Sequence, residues 1–74
     1  MMPEEHARWL AQRIGFTITL QDGVIQFQGL LMNRPYWTYR KTWEEVSSAM
    51  SVLADVYAEY VCQQALAELA VSNE

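Results

Sequence analysis

The sequence is short of almost everything that cross-linking or catalysis draws on. One cysteine, Cys62, excludes an intrachain disulfide, and one histidine, His6, leaves no histidine pair for a metal. No zinc-ligand cluster is present, and no cofactor-binding motif. No apolar run approaches the ~18 residues of a membrane span. The first residues, Met1-Met2-Pro3-Glu4-Glu5, are acidic, unlike a secretory leader. After Lys41 there is no Lys or Arg, against the acids Glu44, Glu45, Asp55, Glu59, Glu68 and Glu74. After Pro35 there is no Gly or Pro to stop a helix.

What is present describes one small folded domain over residues 1–74, at 51% apolar residues and a net charge of −4. A chain this short buries a modest share of its surface and is marginal alone. These features fit a cytoplasmic protein without membrane contact, its lone cysteine packed in a reducing compartment.

The periodicity predicts five elements. Helix one covers Pro3–Ile14. Pro3 suits a first helical position, Glu4 and Glu5 favour the positive end of the dipole, and Ala7, Leu10, Ala11 and Ile14 form one stripe. Gly15 closes it as a left-handed cap. Phe16-Thr17-Ile18-Thr19-Leu20 alternates as a strand, and Asp22-Gly23 is a favoured type I′ turn. That turn pairs Leu20 with Ile25, Ile18 with Phe27, and Phe16 with Gly29, so apolar residues meet apolar residues or glycine. A third strand is expected over residues 36–40, after a loop through Met32-Asn33-Arg34. A three-residue connection is favoured, pairing Phe27 with Tyr39 and Gly29 with Trp37. Trp37 then fills the space over glycine. Helix two begins at Thr42-Trp43-Glu44-Glu45, a capping box, and runs from 43 to about 70. At about 1.5 Å per residue it spans roughly 40 Å.

The fold class is therefore α+β, in the order αβββα, with two helices on one face of a three-stranded antiparallel sheet and the second helix long. The other face, with Thr17, Thr19, Gln26, Gln28, Tyr36, Thr38 and Arg40, is expected to be open and nearly uncharged. The order of elements resembles the double-stranded RNA-binding domain over most of the chain. That family reads RNA with a basic start to its second helix and a Gly-Pro-x-His loop between its first strands. Here those places hold Trp43-Glu44-Glu45 and Gln21-Asp22-Gly23, so the resemblance implies topology and not RNA binding.

Candidate sites are few. Residues 34–41 mix aromatics with Arg34, Arg40 and Lys41, as single-strand nucleic-acid surfaces do, although Trp37 and Tyr39 are expected in the core. His6 reads as part of a solvated first turn, and Asp55 with Glu59 as a solvated carboxylate pair rather than an acid–base site. Helix two carries a broad apolar face through Val46, Ala49, Met50, Leu53, Val56, Tyr57 and Tyr60. Beside it runs a seam of Ser47, Ser51, Ala54, Ala58, Cys62, Ala65 and Leu69, where another helix can approach closely. Helix one is too short to cover its end, which is expected either to fray or, the favoured reading, to pair with a second copy. Trp9, on a flank of helix one with His6 and Arg13, reads equally as an exposed interface anchor or as a residue packed against helix two. The reading is a non-catalytic protein-binding module, homodimeric through helix two, with Trp9, Tyr36, Arg40, Cys62, Leu66 and Leu69 as contact residues. Small acidic chains of this kind occur among phage and mobile-element accessory proteins that inhibit a host factor. The alternative is nucleic-acid binding through residues 34–41, disfavoured by three cations set against an acidic helix.

Overall fold

A computed structural model describes residues 1–72, so Glu74 lies outside them. It holds α1 (Pro3–Ile14), β1 (Thr17–Gln21), β2 (Val24–Leu31), β3 (Arg34–Arg40) and α2 (Trp43–Ser72). The strands form one antiparallel sheet in the order β1-β2-β3, with both helices on one face, as the patterning predicts. No helix among the described residues is long and apolar enough to cross a membrane.

Local chemistry sets the ends of each element. Gly15 takes a left-handed φ of 78° and its N–H reaches Ala11 O, which stops α1. At the start of α2 the Glu45 N–H donates to Thr42 Oγ1 at 3.2 Å. The Thr42 hydroxyl in turn donates to the Glu45 carboxylate at 3.0 Å, so the Glu45 side chain reaches back as predicted but to the hydroxyl of the cap residue. Asp22 and Gly23 both have positive φ, at 52° and 76°, so the first hairpin turns as a type I′ and β1 pairs with β2 in the expected register.

The second hairpin differs from expectation by one residue. Met32 and Asn33 both adopt positive φ, 50° and 66°, and make a two-residue turn. Gly29 then faces Tyr36, Phe27 faces Thr38, and Ile25 faces Arg40. Because side chains alternate, this slip exchanges the two faces of β3. Tyr36, Thr38 and Arg40 lie on the helix side. Trp37 and Tyr39 stand on the open face, 64% and 51% exposed. The reason is the ring of Phe16. A Cβ built on Gly29 would lie 2.5 Å from Phe16 Cδ1, so the space over the glycine is already taken. Tyr36 fits beside that ring, centroids 6.3 Å apart and planes tilted by 48°, where the larger indole of Trp37 would not.

The core joins Ala7, Ala11 and Ile14 of α1, Phe16, Ile25 and Phe27 of the sheet, and Val46, Met50 and Leu53 of α2. All these α2 residues come from its first half. Past them the helix leaves the body, and the molecule measures 53 × 26 × 14 Å. Its radius of gyration is 14.6 Å, against about 11 Å for a compact chain of this length.

The register predicts a contrast between neighbours. Gly29→Ala forces the buried Phe16 ring to move and destabilises by about 1–3 kcal/mol. Trp37→Ala stays within about 0.5 kcal/mol, as exposed substitutions do. Urea titration of both variants checks this, and a large loss in Trp37→Ala alone would restore the slipped register.

Candidate functional site

Two surfaces carry the exposed apolar residues. The first belongs to α2. Every side chain from residue 61 to residue 70 is exposed, with Leu66 and Leu69 each at 59%. The seam has the expected geometry, and α1 covers its first part. The α1 Nδ1 of His6 and the α2 Oγ of Ser47 are 2.6 Å apart between the helices. The Ser51 hydroxyl is held by the Ser47 carbonyl one turn back, at 3.0 Å. The two helices run side by side in the same direction, so α1 ends at Gly15 beside the middle of α2. A notch of about 360 Å³ opens there, walled by Leu10, Arg13 and Ile14 of α1 and by Ala58, Val61 and Cys62 of α2. Cys62 is a free, exposed thiol on its edge. The Arg13 guanidinium lies 4.9 Å from the centroid of the Trp9 ring, so Trp9, 48% exposed, holds the one cation of the notch wall in place. Cys62 thus borders the notch directly and Trp9 through Arg13, while Leu66 and Leu69 lie further out along α2.

The second surface is the open sheet face. Trp37 and Tyr39 occupy alternate positions of β3, about 6.6 Å apart along the strand. Beside them a hollow of about 330 Å³ is lined by Thr17, Gln28, Leu30, Pro35 and Trp37 among others. Tyr36 and Arg40, expected here as contact residues, are on the other side. Tyr36 is half-buried against Phe16. Arg40 donates to Thr38 Oγ1 at 2.9 Å and to the Tyr39 carbonyl at 2.7 Å, and it borders a hollow shared with Glu44 and Glu45. The slip in register is the physical cause of both corrections. The sequence missed Trp37 and Tyr39 as surface residues for the same reason.

His6 also departs from expectation. It is half-buried at the α1–α2 contact rather than solvated. A signal existed: His6 precedes Ala7 of the stripe, and Ser47 belongs to the seam. A serine hydroxyl beside an imidazole is the first half of a nucleophile–base pair. Here it joins two helices, neither residue lines the notch or the sheet hollow, and Ser47 sits inside a continuous helix. Elsewhere the cations serve packing: Arg8 pairs with Glu4 at 3.0 Å and lies 5.0 Å from the centroid of the Trp43 ring. Among the described residues no group of three or more His, Cys, Asp or Glu side chains converges as metal ligands would.

Comparison with known proteins gives no match: no family model fits the chain, and no curated protein or solved structure matches it. The functional reading therefore rests on the geometry of this chain.

A structural role for the His6–Ser47 contact predicts coupling between the two residues. His6→Ala and Ser47→Ala, alone and together in urea melts, should show an interaction of about 0.5–1.5 kcal/mol. Strictly additive losses would remove the contact from the helix interface.

Proposed function

We propose that this chain is a non-catalytic protein-binding module that works as a homodimer joined through the distal half of α2. The observation that carries this reading is the uncovered seam of that half, with Leu66 and Leu69 turned to solvent next to an open notch. The distal half continues a helix nucleated by its packed first half, so its helicity stands alone while its apolar seam is left for a partner to cover. Magnitudes set the working range. Full burial of a leucine contributes about 1.5–3 kcal/mol, so the four leucines of two copies contribute about 6–12 kcal/mol against an association cost of about 4–15 kcal/mol. The terms are of similar size, and the test belongs at micromolar concentration. Small size, net acidity and the lack of a catalytic constellation support the setting of a phage or mobile-element accessory protein acting on a host factor.

Light scattering tests the first claim. The wild type should be a dimer at about 100 μM, where mass action favours association. Leu66→Glu with Leu69→Glu should give a monomer whose circular dichroism is still that of the folded body. A wild-type monomer at that concentration overturns the reading.

A second reading, single-stranded nucleic acid on the open sheet face, is favoured by one observation. The Trp37 and Tyr39 rings are outside the core, where bases can stack on them, and Arg34 and Lys41 are exposed at the two ends of the same strand. Charge opposes it, because the phosphate contacts are few and Glu44 and Glu45 stand next to Arg40. Fluorescence anisotropy with DNA and RNA probes should show no binding tighter than about 10 μM at 0.15 M salt. Submicromolar binding abolished by Trp37→Ala with Lys41→Ala would put nucleic acid first.

A further inference from the structure

We infer that the second copy binds antiparallel along α2 and completes the notch with its own Leu69, so that each body holds the helix tip of the other. This rests on the homodimer reading and goes beyond it by fixing the direction, the register and the residues that meet. Three observations lead there.

The first is continuity. The face of α2 that runs past Ala58, Cys62, Ala65 and Leu69 is the same face that α1 covers at Ser47. Its cover stops at Gly15, and the notch marks the place where the next turn of a covering helix would lie. A helix entering from the far end, antiparallel to α2, continues the line of α1. A parallel partner would have to enter from the end occupied by α1 and the sheet.

The second is self-complementarity. A two-fold axis between Cys62 and Ala65 sets Ala58 opposite Leu69 of the second copy and Cys62 opposite its Ala65. Each large residue of the seam then meets a small one, the condition for close interdigitation. Leu69 of the second copy arrives at the level of Ala58, between Leu10 and Ile14, which are the apolar walls of the notch. A parallel pair would stack leucine on leucine and alanine on alanine, leaving gaps at Ala58. Acids face acids in either arrangement, Glu59 against Glu59 in the parallel pair and Glu59 against Glu68 in the antiparallel one, but only the antiparallel pair opposes the helix dipoles favourably.

The third is charge. The distal half of α2 holds acids and no cation. The notch wall holds Arg13, fixed on the Trp9 ring at 4.9 Å. An acidic helix tip is the complement of that wall, and the second copy brings one.

Cysteine cross-linking tests the register separately from the oligomeric state. Ala65→Cys, with native Cys62 kept, should give a covalent dimer under mild oxidation, because facing positions fall within the about 4.4–6.8 Å Cα separation that a disulfide needs. A lone cysteine at position 58 (Ala58→Cys with Cys62→Ala) should not cross-link, since its copy lies about 16 Å away along the axis. Arg13→Glu should raise the dissociation constant of the dimer about tenfold or more on dilution, with the fold intact by circular dichroism. Cross-linking through position 58 would show a parallel pair and overturn the inference. So would a scattering dimer that fails to cross-link at 62 and 65, or one indifferent to Arg13→Glu. A scattering monomer would instead remove the homodimer itself.

Discussion

The contact of the Phe16 ring with the backbone of Gly29 decides more of this structure than any other. Phe16 is the first residue after the α1 cap, so its position is set by where the helix stops. Its ring lies flat against the one residue of β2 that has no side chain, at a distance that leaves no room for a Cβ. Once the ring is there, the position over Gly29 is filled. The residue of β3 opposite the glycine must then pack beside the ring, and Tyr36 does so. The whole of β3 follows: Tyr36, Thr38 and Arg40 inward, Trp37 and Tyr39 outward. Which aromatic residues meet solvent is thus fixed by a contact between Phe16, just ahead of β1, and Gly29 of β2, on the helix-covered face of the sheet.

This explains what could be read in advance and what could not. The first hairpin was legible because two independent signals agreed, the Asp22-Gly23 turn and the apolar alternation around it. The Phe16–Gly29 pairing was legible for the same reason. The long helix was legible from the absence of any breaker after Pro35 and from the Thr42–Glu45 cap. The second turn was not, because Met32 is a residue that rarely adopts positive φ. A three-residue connection buries two large aromatics and satisfies the apolar pattern, so turn propensity and hydrophobic count both favour it over the observed turn. It also places two rings, Phe16 and Trp37, in the one space over Gly29. Volume settles that conflict, and it is invisible to a pattern of apolar and polar letters. His6 was misplaced for a related reason: one polar residue at a helix start reads as solvated unless its partner, forty-one positions away, is known.

The same limits apply to which of the proposed contact residues are exposed. Trp9, Cys62, Leu66 and Leu69 could be placed from helical spacing alone, since a helix has one period and no register to lose. Tyr36 and Arg40 depended on a strand register, and a shift of one residue carried both to the far side of the sheet. Arg13 was overlooked because its importance comes from the end of α1 falling beside Ala58, a tertiary fact.

The two exposed surfaces are not equivalent as places for a second copy. The free edge of β3 is guarded. Pro35 pairs with Leu30 yet has no N–H to give, so its backbone faces away from β2, and by alternation so do the backbones of Trp37 and Tyr39. On that edge the proline removes one donor, and the Arg40 guanidinium occupies the Tyr39 carbonyl at 2.7 Å. Two β3 edges brought together would also set Arg34 and Arg40 of one copy against those of the other. β1, at the other edge, spans Thr17–Gln21, an ordinary strand length that carries no such guard. The free half of α2 has no such guard. Its backbone is satisfied internally, its seam is small and apolar, and its acids lie beside the seam rather than on it. Sheet extension at the β3 edge loses a donor and sets arginine against arginine, while helix pairing leaves no backbone donor unmet and brings only the flanking acids of the two helices near one another. The proposed self-association is therefore better placed on the helix than on the β3 edge.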